Sequence, residues 1–406
     1  MAKNNNLTDF LTDVADAIRE KDGSTGTINP QDFSDKIKAI QTGVDTSSAT
    51  ATSADILKDK TAYVKGAKVT GAIETYDGTV EDIHYTDCLT FTGETSEFTL
   101  KATNKDWDGT LQWSTDHNTW TTLTSTEAMQ SVGKKLYLRG KGNTSFGNGV
   151  GVKWQLSAKA DCRGNIQTLL DWENPPTSIL ESDCYYSMFE ACINLTTAPS
   201  LPAITLSNKC YTRLFYGCTS LTNAPSLPAT LLTIYCYDSM FYGCTSLTNA
   251  PSLPATSLAN YCYNSMFRSC TSLTKAPSLP ATSLAQNCYS NMFYGCTSLT
   301  NAPSLPATSL KSSCYQYMFR SCTSLTKAPS LPATSLAAFC YEGMFNGCVL
   351  LKISTTQTAE YKTLWRIPSS GSIIQDGYNW NSEMLYGTGG TFTSNPTVNT
   401  TYYGAW

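Results

Sequence analysis

Cysteine is the side chain with the most varied chemistry in this 406-residue sequence, which contains 16 of them. Fourteen recur as Cys-x7-Cys pairs, and the remaining two are Cys88 and Cys162. The pairs could form disulfides within each repeat, two columns of buried thiols, or zinc sites. Zinc is the least favoured because structural zinc sites usually separate their cysteines by two to four residues. The paired cysteines are Cys184, Cys192, Cys210, Cys218, Cys236, Cys244, Cys262, Cys270, Cys288, Cys296, Cys314, Cys322, Cys340 and Cys348.

The beginning of the chain bears on the choice between thiols and disulfides. Residues 1–10, MAKNNNLTDF, lack the apolar core of a signal peptide, and no lipoprotein cysteine follows. We therefore expect synthesis and folding in a reducing cytosol, where structural disulfides are rare. The sequence favours a structural ladder of buried thiols over disulfides at the 14 paired positions.

Catalytic and metal-binding patterns are not found elsewhere in the sequence. His84 and His117 are the only two histidines, and no nucleophile elbow, phosphate-binding loop, zinc-protease motif or dinucleotide glycine pattern occurs. We therefore predict no enzyme, no cofactor and no metal site. A formal net charge of −4 without a basic run argues against a nucleic-acid partner. The lack of an apolar stretch of about 18 residues argues against membrane insertion.

A repeat of 26 residues places the cysteine pairs at regular intervals. A fixed period of this length predicts a leucine-rich-repeat-like solenoid, in which each unit stacks on its neighbours. Residues 273–279, LTKAPSL, indicate a strand that Pro277 must shorten to two or three residues, since proline removes a ladder donor. Tyr263, Met266 and Phe267 suit a short helical turn that faces inward. Copies begin at Cys184, Cys210, Cys236, Cys262, Cys288 and Cys314, with a partial copy from Cys340.

Variation between the copies marks the positions that a solenoid should expose. Asn or Lys precedes Ala-Pro in most copies, and these residues share one repeat phase. They should therefore form a polar column with copies about 4.8 Å apart. Tyr or Arg follows the phenylalanine in most copies. The varied positions are either a binding strip or a duplicated solvated face. The candidate surface residues are Asn223, Asn249, Lys275, Asn301, Lys327, Arg268, Arg320, Tyr216, Tyr242 and Tyr294.

The C-terminal region, residues 355–406, leaves the repeat and is rich in aromatic residues. A solenoid needs a terminal cap, so capping is one interpretation of this region. Its aromatic and polar composition is also typical of surfaces that recognise a glycan or a protein. The candidate binding residues here are Trp380, Tyr402, Tyr403 and Trp406.

Three smaller elements precede the repeats. Apolar spacing predicts a helical hairpin over residues 6–42, either a docking module or a lobe packed on its own chain. Two short strands around a glycine turn are expected at 61–64 and 67–70, and β-rich runs in 81–165 predict an Ig-like β-sandwich. The predicted fold is multidomain and mixed: helical attachment module 1–45, linker and short β-hairpin 46–80, β-sandwich spacer 81–165, solenoid 166–354 and aromatic C-terminal cap 355–406.

Two parts of the sequence resemble known families. Residues 266–273, MFRSCTSL, resemble the motif of BspA-like leucine-rich repeats, and this similarity extends over 184–354. The segments 7–40 and 54–71 resemble modules of phage tail and virion-fibre proteins. The resemblance implies a structural phage virion protein of the tail or a fibre, in which residues 1–75 bind other virion proteins.

The same resemblance implies where the protein acts and what it binds. It would be made in the host cytoplasm, assemble as a homo-oligomer in the virion, and leave by lysis. Its solenoid and C-terminal segment would bind a host surface glycan or protein. The module order also allows a head fibre or capsid decoration protein. A bacterial surface adhesin and a glycan depolymerase are further alternatives.

Overall fold

The structure is a computed structural model, and it describes residues 14–16, 61–64, 67–70, 88–105, 107–147, 153–368 and 380–406. The chain divides into two compact units, Met1–Ile83 and His84–Trp406. Of the predicted helical hairpin, residues 14–16 are helical, and the rest lies outside the described residues. The described part of the chain is mostly strands and turns with almost no helix. None of its helices is long and apolar enough to cross a membrane.

The first unit contains a two-stranded antiparallel ladder. Strand β1, Thr61–Val64, pairs with β2, Ala67–Thr70, and Ala62 lies opposite Val69. These strands coincide with the residue ranges predicted from the sequence, so the prediction of a short ladder is confirmed.

Two sheets open the second unit. Their strands are β3 Leu89–Gly93, β4 Thr99–Ala102, β5 Thr110–Ser114, β6 Thr121–Thr122, β7 Met129–Gln130, β8 Lys135–Lys141, β9 Trp154–Leu156 and β10 Ala160–Arg163. One sheet has the order β10-β3-β8-β5-β6, and the other has the order β7-β4-β9. Side chains alternate between the two faces of a strand, so Leu136 and Leu138 of β8 are both buried. The buried faces of both sheets share one hydrophobic core.

The repeats continue directly from these two sheets. A 3₁₀ helix, Ile166–Leu169, follows β10. Strand β11, Leu195–Thr197, lies in the first repeat and pairs in parallel with β10. The Asn194 side chain also donates a hydrogen bond to Leu156 O at 2.8 Å. The two-sheet region therefore covers the first repeat, whose edge would otherwise lack a neighbour.

The segment around each cysteine pair is a series of turns, so the predicted short helical turn is wrong. Left-handed backbone recurs every two or four residues in this segment, in the first repeat at Asp183 (φ 60°), Tyr185 (φ 61°), Ser187 (φ 54°) and Ala191 (φ 57°). Such residues interrupt a right-handed helix. They turn alternate N–H groups towards the next repeat. The Phe189 N–H, for example, donates to Leu214 O of the next repeat at 2.9 Å.

The same register recurs between consecutive repeats. The N–H groups of Phe215 and Phe241 donate to Met240 O and Met266 O at 3.0 and 2.9 Å, 25 residues further along the chain in each case. Elsewhere in the repeat, neighbours share single parallel bridges, such as the one between Asn249 and Lys275. The prolines of the Ala-Pro-Ser-Leu segment prevent longer pairing. The prediction of a very short strand is thus confirmed.

Two columns of aromatic rings fill the interior of the repeats. One tyrosine and one phenylalanine per repeat are fully buried. Ring centroids are 5.7–6.0 Å apart from Tyr185 to Tyr341 and 5.6–5.8 Å apart from Phe189 to Phe345, with planes within 11° of parallel. Near-identical repeats thus make near-identical interfaces, and each repeat is stabilised by its neighbours.

Aromatic residues from outside the repeats close both ends of these columns. Phe146 of the two-sheet region stacks on Tyr185 with 6.2 Å between centroids. At the other end, Trp380 packs edge-on against Tyr341 at 6.1 Å. Trp365 closes the phenylalanine column in the same way. The apolar ring faces of the terminal repeats are therefore shielded from water.

Residues 380–388 form a further, degenerate layer of the stack. Their sequence, WNSEMLYGT, follows the pattern CYEGMFNGC of residues 340–348. Tyr341 N–H donates to Trp380 O at 2.8 Å. Trp380 O thus takes the place of the carbonyl of the first cysteine in a complete repeat. A small sheet of order β12-β14-β13 completes this end, with β12 Ile353–Ser354, β13 Thr363–Arg366 and β14 Thr401–Gly404.

All 16 cysteines are buried thiols in the structure. The second cysteine of a pair donates to the phenylalanine carbonyl of the preceding repeat, as Cys270 does to Phe241 O at 3.0 Å. Equivalent bonds of 3.0–3.1 Å recur from Cys218 to Cys348. Burial raises the pKa of Cys296 to about 12, so its reactive thiolate is scarce at neutral pH.

We expect the cysteines to resist alkylation at neutral pH while the protein is folded, because only thiolates react and burial disfavours them. Intact-mass spectrometry after iodoacetamide treatment should show almost no adducts on the folded protein. In denaturant without reductant, the mass should rise by close to 16 adducts, one per cysteine. If most repeat cysteines gained adducts only after reduction, they would be disulfides and this expectation would be wrong.

Tyr211 and Tyr289 occupy the same repeat position but differ in their hydroxyl contacts. Tyr211 Oη accepts from Gln167 Nε2 at 3.0 Å, whereas Tyr289 Oη is buried with no hydrogen-bond partner among the described residues. We expect Tyr211→Phe to lower the free energy of unfolding by about 1–3 kcal/mol, because it leaves a buried amide unpaired. Tyr289→Phe should leave stability unchanged or raise it. Denaturant unfolding compares the two variants. An equal loss of unfolding free energy in both would contradict the difference in hydrogen bonding between the two hydroxyls.

Candidate binding surface

The Asn/Lys positions form one exposed column across the repeats. Single parallel bridges join Asn223 to Asn249 and Asn249 to Lys275. A further bridge joins Asn301 to Lys327, and all of these residues are exposed. Each asparagine amide donates to the hydroxyl of the preceding threonine at 3.0–3.2 Å. The structure therefore brings these candidate residues together in a strip of amides, ammonium groups and hydroxyls.

The residues that follow the phenylalanines form a second column, here called the Tyr–Arg column: Tyr216, Tyr242, Arg268, Tyr294 and Arg320. Tyr216 and Tyr242 stack with 4.6 Å between centroids. The Arg268 guanidinium lies 4.3 Å from the Tyr294 ring and 5.4 Å from Tyr242, and Arg320 lies 5.8 Å from Tyr294. All five side chains are half-buried. Each arginine thus lies over a neighbouring tyrosine ring, and part of every side chain stays accessible to solvent.

The beginning of the Tyr–Arg column is neutralised by ion pairs. Glu190 pairs with Arg213 at 2.9 Å and with Lys153 at 3.0 Å. The Arg213 guanidinium also lies 4.3 Å from the Tyr216 ring. The first arginine of this face therefore has its counter-ion within the protein.

The far end of the column contains Tyr317, which the sequence analysis did not select. Tyr317 lies 5.2 Å from the Arg320 guanidinium, and its hydroxyl donates to Glu342 at 2.9 Å. Burial and the neighbouring carboxylate raise the pKa of Tyr317 to about 12. Within the part of the chain that the structure describes, Arg268 and Arg320 make no ion pair. Among the described residues, the two arginines of the column are thus not ion-paired, and the Glu342 carboxylate lies beside Tyr317 at the far end.

Two of the C-terminal candidates are core residues. Trp380 and Tyr402 are only 9% and 3% exposed, since Trp380 closes the tyrosine column and Tyr402 packs against Trp365. The prediction that these two contribute to a binding surface is therefore wrong. Tyr403 and Trp406 are half-buried at the same end, so the four candidates do not form one exposed aromatic surface.

A thiol and an imidazole meet inside the two-sheet region. Cys88 Sγ lies 3.5 Å from His117 Nε2, and the His117 ring tilts against Tyr137 with 3.6 Å between centroids. Burial lowers the pKa of His117, so its ring is neutral at pH 7. Cys88 is 1% exposed, whereas His117 is half-buried, so only the thiol belongs to the core. No cluster of three or more potential metal ligands occurs among the residues that the structure describes.

The repeat region is similar to a known family. Residues 184–300 and 237–362 match the BspA type leucine-rich repeat region, in six copies. The resemblance of the repeats to that family is thereby confirmed. Neither a curated protein nor a solved structure matches the chain. The matched residues include both exposed columns, so the candidate surface belongs to the repeats themselves.

Asp238 makes the stability of the repeats pH-dependent. Its carboxylate accepts from Asn264 Nδ2 at 2.7 Å, yet burial raises its pKa to about 6. The folded protein therefore binds this proton more tightly than the unfolded chain, and stability falls as the pH rises from about 4 to 6. We expect Asp238→Asn to raise the free energy of unfolding at pH 7 by about 1–2 kcal/mol. The gain should vanish near pH 4, where the carboxyl group is already protonated. Urea unfolding at both pH values tests this, and a gain of equal size at each would refute it.

Proposed function

We propose that this chain, whose repeats are of the BspA type, is a structural adhesion protein of a phage virion. In this proposal it is a tail or fibre component that binds the host cell surface without catalysis. BspA-type repeats point to a surface or adhesion protein. The assignment to a phage tail or fibre is supported by the resemblance of segments 7–40 and 54–71 to modules of such proteins.

The observation that carries the binding role is the contrast between a constant interior and a varied exterior. Each repeat buries the same tyrosine, phenylalanine and cysteine positions, whereas the exposed positions change between Asn and Lys and the half-buried ones between Tyr and Arg. As a solenoid, the stack would hold these side chains at a fixed spacing of about 4.8 Å per repeat. A regular array can contact a repetitive host surface at several points at once, which raises avidity.

The remaining parts of the chain complete the proposal. Residues 1–75 attach the protein to other virion proteins, and the two-sheet region acts as a spacer. Copies of the chain assemble as a homo-oligomer and bind a host surface glycan or protein through the repeats. The C-terminal segment, with Tyr403 and Trp406 half-buried, closes the stack and contributes at most part of the contact. The protein reaches the virion in the host cytoplasm and leaves by lysis.

Removal of residues 1–75 should abolish incorporation into particles, because those residues supply the attachment. The remainder should stay soluble and folded and should still bind host cells, since it contains the whole compact unit His84–Trp406. Immunoblots of purified virions and a cell-binding assay measure the two outcomes, with the full-length chain as the control.

Normal incorporation of the truncated chain would reject the attachment role. A full-length chain that binds no host cell would reject adhesion. Immunogold labelling of purified virions separates a tail or fibre position from a head position. Release of oligosaccharides from host polysaccharide would instead indicate a depolymerase.

A further inference from the structure

The middle of the Tyr–Arg column holds two arginines without counter-ions in the described part of the chain. Neither Arg268 nor Arg320 forms an ion pair there, and Arg268 Nε is buried without a hydrogen-bond acceptor. Arg213 Nε is also buried without an acceptor, but Arg213, unlike the other two, pairs with Glu190 at 2.9 Å. A guanidinium with unmet donors favours an oxyanion, which it can bind through two parallel hydrogen bonds.

Neighbouring tyrosine rings flank both guanidinium groups. Arg268 lies between Tyr242 and Tyr294, at 5.4 and 4.3 Å from the ring centroids. Arg320 lies between Tyr294 and Tyr317, at 5.8 and 5.2 Å. Each guanidinium thus has a tyrosine ring on two sides, and both arginine side chains are half-buried, so part of each stays accessible to solvent. Such an arginine is already ordered, so it loses little conformational freedom when an anion binds.

The two arginines are separated by two repeats. Neighbouring parallel segments lie about 4.8 Å apart, so the two guanidinium edges recur at about 10 Å along the stack. Tyr294 lies between them, and a tyrosine hydroxyl can both donate and accept a hydrogen bond. The column therefore alternates a site for an acidic group with a site for a neutral polar group.

We propose that Arg268 and Arg320 anchor successive acidic groups of an anionic polysaccharide that lies along the Tyr–Arg column, with Tyr294 contacting the sugar between them. This inference rests on the proposed function and names the class of ligand that the adhesion surface takes. It makes the Asn/Lys column, on which Lys275 and Lys327 are exposed, a secondary face.

Other polyanions fit this surface less well. In a DNA duplex the charges of each strand recur about every 3.4 Å along the axis, far closer than the arginines. The stacked tyrosines and arginines also cover the ring faces that unpaired bases would need. An acidic peptide usually pairs its backbone with a sheet edge, whereas the backbone groups beside this column bond to the next repeat, as Gly243 N–H does to Arg268 O at 2.8 Å.

The test measures binding of the full-length chain to three polysaccharides and to polyglutamate by calorimetry at one ionic strength. Heparin supplies sulfate groups, polygalacturonate supplies carboxylates, and dextran is the neutral control. We expect at least one of the two anionic chains to bind and dextran not to bind. Arg268→Gln combined with Arg320→Gln should weaken that binding by about tenfold or more. The matched control, Lys275→Gln with Lys327→Gln, removes the same charge from the same repeats and should change affinity by less than about twofold.

A second variant, Arg268→Lys with Arg320→Lys, keeps the test decisive if the glutamine variant misfolds. It keeps both positive charges and loses only the planar guanidinium groups. It should weaken binding by about tenfold with an unchanged unfolding midpoint. An equal loss in the arginine and lysine control variants would overturn the inference, and so would the absence of binding to either anionic chain. Tighter binding to polyglutamate would overturn it in favour of an acidic protein ligand. If the wild-type chain binds host cells but no anionic polysaccharide, the adhesion role survives and this inference fails.

Discussion

The hydrogen bonds that run from alternate N–H groups of one repeat to the carbonyls of the next are the constraint on which the rest of the structure depends. They need a left-handed residue at every fourth position, which costs about 1–2 kcal/mol for a residue with a side chain. In some copies this position is glycine, as at Gly217 and Gly243, which adopts a left-handed backbone without this cost. In another copy it is Ser269, for which the cost applies. The recurring inter-repeat bonds offset the cost and hold every repeat in the same register.

The choice of side chains in the interior follows from that register. A residue that stacks on its own copy must fit one fixed spacing, and planar rings do so at 5.6–6.0 Å when they are offset. The thiol suits the remaining space because it is small and largely apolar, yet it can still donate to a carbonyl. Serine would also donate but would bury a more polar group. Cysteine therefore serves here as a packing residue.

The features that depend only on repeat phase could be predicted from the sequence. These are the period, the two cysteine columns, the short strand before proline and the exposed Asn/Lys column. The left-handed backbone could not, because it occurs at residues as different as Asp183 and Tyr235 and arises from bonds between repeats. The terminal layer was missed because Trp380 and Thr388 replace the two cysteines that define a copy, although Met384 and Gly387 keep the spacing.

The contact between Tyr317 and the Tyr–Arg column was missed for a different reason. Tyr317 lies three residues after the first cysteine of its repeat, and Arg320 lies six residues after it, so they belong to different columns. Only the lengths and directions of the two side chains bring them within 5.2 Å. Repeat phase predicts which residues share a column, but it does not predict contacts between columns.

The alternation of the two kinds of repeat has a simple electrostatic basis. Like charges on consecutive repeats would lie about 4.8 Å apart and repel by roughly 3 kcal/mol at the dielectric of a protein surface. Tyr294 separates Arg268 from Arg320, and Asn301 separates Lys275 from Lys327. Doubling the distance halves the repulsion, and the tyrosine faces further stabilise both arginines. A stack of near-identical repeats therefore carries a line of positive charge at a lower electrostatic cost when neutral copies alternate with charged ones.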